Sequence, residues 1–365
     1  MSLKFILLFF LIGLNLKAQI PKINYAPKHY IVYKAKETLC IDGKLNDEAW
    51  QKASWTDNFT DIEGYLKPAP RYLTRVKMLW DSDYLYFAAY LEEPNVWATL
   101  TERESVIFYD NDFEIFIDPD GDTHNYMEYE INALGTEWDL FLCRPYRNRC
   151  AADNSWDFEG IQSKVHICGT LNKPNDTDTC WTIEIAIPWK SMIKHSATQN
   201  IPVDGEQWRI NFSRVQWDFQ IANEIYIRKR DKNGNLLPEH NWVWSPQGVI
   251  AMHQPETWGF IQFADQLSGE GSVQFVNKQE DKIKWILRQV YYIQKSYYWR
   301  HNKYADNFID MQKDSCLIDT YNYQIKMKQT DKNNFKASIQ QNDTTFWYIR
   351  QDGKVYKALK KEENE

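Results

Sequence analysis

Two neighbouring stretches, Asn111-Asp-Phe-Glu-Ile-Phe-Ile-Asp118 and Tyr126-Met-Glu-Tyr-Glu-Ile-Asn132, decide the fold, because large apolar residues alternate in them with polar ones. A period of two is typical of β-strands that bury one face. The residues expected to face a core are Phe113, Ile115, Ile117, Met127, Tyr129 and Ile131. The opposite face then carries Glu114, Phe116, Glu128 and Glu130.

Similar short runs continue from Val76 to Phe263, divided by Gly, Pro, Asn and Asp, and helical periodicity is nearly absent there. This pattern predicts a mainly β fold, an antiparallel β-sandwich of jelly-roll-like form, over residues 36–265. The predicted strands are Val76–Trp80, Leu85–Leu91, Phe113–Ile117, Tyr126–Asn132, Trp138–Leu142, Lys164–Cys168, Trp181–Ile187, Trp208–Trp217, Ile225–Arg228 and Gly259–Phe263.

The composition changes after the last of these strands. Ser268-Gly-Glu-Gly-Ser272 indicates a linker, placed at 266–280. Apolar residues then recur at helical spacing across Lys282–Tyr304, and alternating runs follow at 321–329, 334–340 and 345–350. A small α+β domain is therefore predicted at 281–358. Its helix and following turn resemble those of pilin-like globular domains. The apolar stem of those domains is missing, so the resemblance implies only a shape. A protein partner for this domain is an open alternative.

The first 18 residues combine Lys4 with a short apolar run that ends before a small residue, Ala18. This pattern predicts a signal peptide, 1–18, rather than a membrane anchor, because the run is interrupted by Lys4 and Asn15. Export to the periplasm or the cell exterior is expected, without membrane insertion after cleavage.

Charge and composition narrow the class of ligand. The formal net charge of −7 argues against binding to nucleic acid or to an anionic membrane, because both carry negative charge themselves. Aromatic residues make up 15% of the chain, with 16 Trp and 22 Tyr. Aromatic faces stack on the apolar faces of pyranose rings, so this content favours a carbohydrate ligand, although most rings are expected to lie in the core.

Six cysteines in an exported chain allow disulfides. Cys168 and Cys180 flank a predicted hairpin turn, and Cys143 and Cys150 flank a short loop, so each pair is a candidate bridge. Buried free thiols are the alternative. The spacing does not suggest a metal site.

Five runs, in order, resemble the family 9 carbohydrate-binding modules. The runs are 41–50 (IDGKLNDEAW), 76–87 (VKMLWDSDYLYF), 111–118 (NDFEIFID), 181–189 (WTIEIAIPW) and 258–263 (WGFIQF). The resemblance covers about residues 36–265. It implies a β-sandwich, structural calcium, and sugar held between aromatic rings. Relatives are commonly attached to xylan-degrading or other glycoside-active enzymes, which implies a role in carbohydrate catabolism.

The resemblance and the strand alternation together give candidate sugar-binding residues. Glu114 matches a ligand-binding acid of the family, while Glu130 stands where characterised sugar binders carry arginine, so their preference for reducing ends does not transfer. The remaining candidates are Phe108 or Tyr109 and Trp242 or Trp244 as stacking rings, with Glu128, Asn211 and Trp217 on the polar face. A solvated sheet face with ion pairs is the alternative.

The loop Asp118-Pro-Asp-Gly-Asp-Thr-His124 carries acidic oxygens at alternate positions. Asp118, Asp120 and Asp122 suit a hard cation such as Ca²⁺, which takes six to eight oxygens. The loop is not an EF-hand, because Tyr129 occupies the twelfth position. A polar hairpin turn is the alternative interpretation.

Two other functions remain open. A glycoside hydrolase needs two carboxyl groups flanking a scissile bond, and Glu114, Glu128 and Glu130 are candidates for them. An interaction or assembly module with a degenerate sugar site is the other alternative. The resemblance to a non-catalytic module, together with the lack of a Gly-x-Ser-x-Gly or His-x-x-x-His motif, favours binding without catalysis.

Overall fold

The computed structural model describes residues 19–312 and 323–359, so the predicted signal peptide lies outside the described residues. The strands are β1 His29–Lys34, β2 Thr60–Asp61, β3 Thr74–Trp80, β4 Tyr84–Glu92, β5 Asp112–Asp118, β6 Tyr126–Asn132, β7 Glu137–Leu142, β8 Gln162–Cys168, β9 Cys180–Pro188, β10 Gln207–Gln216, β11 Phe219–Ala222, β12 Ile225–Arg228, β13 His240–Val243, β14 Gly259–Leu267, β15 Ile325–Asp331, β16 Asn334–Gln340, β17 Thr345–Arg350 and β18 Val355–Leu359. The α-helices are α1 Glu48–Lys52, α2 Trp189–Met192, α3 Gln279–His301 and α4 Phe308–Gln312.

The main body is a large curled sheet in the order β7-β6-β5-β10-β14-β1-β3-β4-β9-β8, with β13 and β2 attached to β10. Its two halves pack face to face, and this confirms the predicted sandwich-like, mainly β fold. The sheet is mixed rather than purely antiparallel, because β1 runs parallel to both of its neighbours, β14 and β3. All ten predicted strands of the sandwich coincide with observed strands.

The core forms where the two halves meet, and it is strongly aromatic. Trp208 and Phe263 from one half pack edge to face against Trp189 and Trp80 from the other, with ring centroids 5.5 to 5.9 Å apart. Aromatic pairs prefer this geometry, and each ring buries a large apolar area. The six residues assigned to the core from the alternation of β5 and β6 are all completely buried, as predicted.

A buried carboxylate, Glu184 on β9, fixes the loop that precedes α1. Its Oε2 accepts the backbone N–H groups of Asp42 and Gly43 at 2.9 and 2.8 Å, and its Oε1 accepts Nε1 of Trp50 at 2.7 Å. Gly43 has φ +86°, and a Cβ there would lie 2.8 Å from the backbone of Val165. This contact explains why the loop requires glycine at that position.

Glu184 makes stability depend on pH. Burial raises its pKa to about 7 from an ordinary 4.5, so its contribution to folding is full below pH 4.5 and is lost as the pH rises through 7. The free energy of unfolding of the wild type, minus that of Glu184→Gln, should therefore fall between pH 5 and pH 8. Urea unfolding of both proteins measures this difference, and a constant difference would contradict the assignment.

The carboxy-terminal unit consists of α3 packed on the sheet β15-β16-β17-β18. Its core is formed by residues such as Leu287, Val290 and Ile349. The helix begins three residues before the predicted start and ends three before the predicted end, at His301. Residues 321 and 322 of the first predicted strand of this unit lie outside the described residues.

The predicted linker is packed against the sandwich rather than free. The backbone N–H of Val273 donates to the hydroxyl of Tyr33 at 2.9 Å, and Val276 exchanges hydrogen bonds with Gln262 and Gln207. Phe275 stacks on His29 at 4.4 Å. The segment therefore runs back along β1 from its carboxyl end towards its amino end.

The two candidate disulfides differ in outcome. Cys143 and Cys150 are joined by a disulfide. Cys168 and Cys180 are cross-strand partners in β8 and β9, but both thiols are free, so the predicted bridge is absent. Backbone hydrogen bonds and the Asp178 carboxylate, which accepts the N–H of Thr170 at 2.6 Å, already close this hairpin.

Among the described residues, no helix combines the length and apolar character needed to cross a membrane.

Candidate functional site

The polar face predicted for β5, β6 and β10 exists, and it concentrates carboxylates. Glu114 lies directly opposite Glu130 on β6 and opposite Ser213 on β10. Asp112 and Glu128 lie on the same face because side chains alternate along each strand. Glu114, Glu128 and Glu130 are thus brought together as the alternation predicts, and Asp112, which was not among the predicted residues, joins them.

This face is buried, which corrects the expectation that it offers an open sugar-binding surface. Glu114, Glu128 and Glu130 are at most 5% exposed. Burial, and then the neighbouring carboxylates, raise the pKa values of Asp112, Glu128 and Glu130 well above their ordinary values; burial raises the pKa of Glu114 to about 7. The sequence does not reveal this burial, because alternation assigns a side chain to a face but does not show which residues pack over that face, such as His253 beside Glu128.

Two predicted stacking tryptophans, Trp242 and Trp244, are also unavailable to a ligand. They are 3% and 1% exposed and belong to the main core. Trp242 lies on β13, whose pairing with β10 places its ring against Tyr72. The ring of Trp244 packs against Phe212. Both residues are structural.

Asn211 is likewise buried and has no free hydrogen-bonding capacity for a sugar. Its Nδ2 donates to the carbonyl of Ser245 at 2.9 Å and to Oε1 of Gln247 at 3.2 Å, while its Oδ1 accepts the N–H of Ser245. It holds the loop after β13 against β10.

An open pocket of about 310 Å³ lies beside this face, and we call it the Tyr109 pocket. Its walls come from the segment after β4, the helical turn before β5, strand β12 and the turn that follows β12. The lining residues are Trp97, Thr99, Leu100, Tyr109, Tyr226, Ile227, Arg228, Arg230 and Leu236. Tyr109 is 49% exposed, and it is the one sequence-predicted ligand residue that lines the pocket.

Buried contacts behind the pocket hold Tyr109 in place. Nε1 of Trp217 donates to the carbonyl of Phe108 at 2.8 Å, and the N–H of Phe108 donates to Oε2 of Glu130 at 3.1 Å. Phe108 and Trp217, predicted as ligand residues, therefore position the turn rather than line the pocket. The rim is fixed by Asp110, whose carboxylate accepts the N–H groups of Thr99 and Leu100.

Two residues that line the pocket also carry buried donor atoms without partners. Nε1 of Trp97 and Nη1 of Arg228 are buried and have no hydrogen-bond partner within residues 19–312 and 323–359. The Arg228 guanidinium lies over the rings of Trp217 and Tyr109, at 4.7 and 5.3 Å. A buried donor without a partner is costly, so a ligand that accepts from these two groups would be favoured.

Sequence reasoning did not find Trp97, Tyr226 and Arg228. The strand Ile225–Arg228 was predicted, but nothing in it indicates which distant segment it approaches. The one available signal is the pairing of an aromatic ring and an arginine at alternate positions of a short exposed hairpin.

The acidic loop lies where the carboxy-terminal unit docks. Asp118, Asp120 and Asp122 each offer an oxygen within 4.8 Å of the others. Asp122 pairs with Lys354 of the carboxy-terminal unit at 2.8 Å, and Arg288 of α3 donates to its carbonyl. Burial, followed by the two other acids, raises the pKa of Asp118 well above its ordinary value. Three carboxylates are the ligand type that a hard cation takes. In the structure their oxygens accept N–H groups of the same loop, as in the alternative of a polar turn: Gly121 and Thr123 donate to Asp118, and His124 donates to Asp122.

Comparison with known proteins finds similarity over part of the sandwich. Residues 41–214 match the family model described as carbohydrate family 9 binding domain-like. Over 156 residues, the chain is 26% identical to exoglucanase XynX of Acetivibrio thermocellus; the match covers 42% of this chain and only 12% of that protein.

Solved structures with lower similarity were also found. A family 9 carbohydrate-binding module from Caldicellulosiruptor kristjanssonii in complex with cellotriose is 16% identical, with a TM-score of 0.39, and the match covers 68% of this chain and all of that one. The same module in complex with glucose gives the same values. The family match places the similarity to the carbohydrate-binding family 9 at residues 41–214 of this chain.

Proposed function

We propose that the chain is an exported, non-catalytic carbohydrate-binding protein and that sugar binds in the Tyr109 pocket. The observation that carries this proposal is a pocket that combines an exposed tyrosine ring with two buried donors that lack partners. Tyr109 lies within the family-matched residues 41–214, whereas the wall at Arg228 lies beyond them. Ligand sites commonly combine aromatic walls with a few polar groups in this way.

The proposed mechanism is stacking with hydrogen bonding. The Tyr109 ring would remove the apolar face of a pyranose from water. Nη1 of Arg228 and Nε1 of Trp97 would donate to sugar oxygens and thereby satisfy two groups that otherwise lack partners. The hydroxyl of Thr99 donates to Asp110 at 2.7 Å. Its oxygen lone pairs can therefore accept a hydrogen bond from a sugar hydroxyl.

The arrangement of the acids supports the non-catalytic part of the proposal. Glycoside hydrolysis needs two carboxyl groups that flank a bound sugar about 5–10 Å apart. Asp112, Glu114 and Glu130 instead converge within 4.8 Å and are buried, which leaves no space for a sugar ring between them.

Export and a role in polysaccharide use are further parts of the proposal. The charged and apolar pattern of residues 1–18 supports export. The similarity to a segment of an exoglucanase supports a link to polysaccharide breakdown. Calcium held by Asp118, Asp120 and Asp122 would neutralise an acidic loop on which the carboxy-terminal unit rests.

A glycan-array screen of residues 19–365, with calcium and then with a chelator, tests the function. The wild type should bind a polysaccharide, and Tyr109→Ala should weaken binding about tenfold through the lost stacking area. Arg228→Met should weaken it at least as much, since hydrogen bonds from charged groups contribute about 1.5–3 kcal/mol. Asp120→Asn should remove the part of the response that depends on calcium at the acidic loop.

The control is Tyr65→Ala, because Tyr65 is 77% exposed but does not line the pocket. Equal loss of binding in Tyr65→Ala and Tyr109→Ala would contradict the assigned site. A folded wild type that binds no glycan would contradict the function and favour a protein-interaction module.

A further inference from the structure

Four carboxylates are gathered on the covered face of β5 and β6, away from the acidic loop. Asp112, Glu114 and Glu130 each offer an oxygen, and these three oxygens lie within 4.8 Å of one another. Glu128 is the next residue of β6 on the same face. All four side chains are at most 5% exposed, so water does not screen their mutual repulsion.

Protein cations do not balance this charge. The charged groups that act most strongly on the four acids are other carboxylates, and no lysine or arginine is among them. The nearest histidine, His253, has its Nε2 3.8 Å from Oε2 of Glu128, which is too long for a hydrogen bond. Within the described residues, no lysine or arginine forms an ion pair with any of the four acids.

Unpaired oxygens surround the same point. Oδ2 of Asp112, Oε2 of Glu128 and Oγ of Ser213 are buried without a hydrogen-bond partner in the described part of the chain. Ser213 is not part of the acidic group; it lies on β10 directly opposite Glu114. Buried polar atoms are nearly always paired, so several unpaired oxygens around one point indicate a missing ligand.

We propose that Asp112, Glu114 and Glu130 hold a hard divalent cation of the Ca²⁺ class, with Glu128 and Ser213 beside it. The donors are all oxygens, which such cations prefer, and three carboxylates supply up to six oxygens. The site is separate from the loop at Asp118–Asp122 and does not depend on the proposed sugar binding. It has a structural consequence, because Glu130 also accepts the N–H of Phe108 in the turn that presents Tyr109.

Terbium luminescence and metal analysis test this site in the chain 19–365 after chelation. Trp138 is the direct cross-strand partner of Glu130, so it should sensitise Tb³⁺ emission from this site. The experiment uses an Asp120→Asn background, which disables the acidic loop. In this background the protein should still bind one Ca²⁺, which should compete with Tb³⁺ and raise the melting temperature. Adding Glu130→Gln should weaken Ca²⁺ binding by about tenfold or more through loss of ligand charge.

Trp138→Phe provides a second measurement in which none of the proposed metal-coordinating residues is changed. It should reduce the sensitised Tb³⁺ emission while leaving Ca²⁺ affinity unchanged. The proposal is overturned if the Asp120→Asn protein binds no divalent cation. It is equally overturned if Glu130→Gln leaves the bound metal and the calcium-induced rise in melting temperature unaltered, since the acids would then be held by shared protons.

Discussion

Trp244→Ala should lower the free energy of unfolding by about 3–5 kcal/mol, the usual cost of removing a large aromatic side chain from a core. The ring is 1% exposed and packs against Phe212, with centroids 5.8 Å apart. It also lies over Gly259, where a Cβ would come within 2.5 Å of the indole. The cavity would open between β10 and β14, where the backbone cannot collapse to fill it.

Denaturant unfolding of the wild type and Trp244→Ala measures this effect. Tyr65→Ala is the matched aromatic control, because Tyr65 is exposed and should change stability by less than about 0.5 kcal/mol. A Trp244→Ala protein that kept wild-type stability and lost glycan binding would contradict the structural role and show that Trp244 contributes to the binding site.

Glu256→Ala should cost about 3–5 kcal/mol and loosen the docking of the carboxy-terminal unit. Nη2 of Arg147 donates to both oxygens of Glu256 at 2.7 and 2.8 Å, and the hydroxyl of Tyr292 on α3 donates to Oε1 at 2.5 Å. Both charged side chains are buried. Removing the acid leaves the buried guanidinium of Arg147 without its partner, and an uncompensated buried charge is strongly destabilising.

Limited proteolysis in the 266–280 segment, together with thermal unfolding, measures this loosening. The control pair is Lys190 and Glu159, whose side chains are 59% and 84% exposed. Glu159→Ala should change stability by no more than about 1 kcal/mol, because exposed ion pairs contribute little. Equal effects of the two substitutions would show that the Glu256 network does not hold the units together.

The sequence predicted what depends on strand alternation and missed what depends on distant segments. Phe113, Ile115 and Ile117 could be assigned to the core because neighbouring side chains on a strand must point to opposite faces. Alternation also placed Glu114 and Glu130 on one shared face. It could not show that the face is covered, because alternation does not specify the residues that pack over a face, such as His253 beside Glu128.

The site was harder to predict than the fold for the same reason. Tyr109 could be chosen by its position before a recognisable run, whereas Arg228 lies more than a hundred residues further along the chain and meets Tyr109 only in the folded protein. Trp242 and Trp244 were misassigned because an aromatic ring is as suitable for a core as for a sugar. The parallel placement of β1 has no local signal either, since it requires knowledge of both of its neighbours.

The path of residues 268–278 back along β1 determines how far the sandwich and the carboxy-terminal unit can move relative to each other. A chain anchored at Tyr33, His29 and Gln262 cannot act as a hinge, so the carboxy-terminal unit would not swing relative to the sandwich. A glycan held at Tyr109 and anything bound to the far side of the carboxy-terminal unit would therefore sit at a fixed separation and orientation. The protein would work as a rigid spacer between its two ends, and adding residues to the segment would not lengthen its reach while those anchors hold.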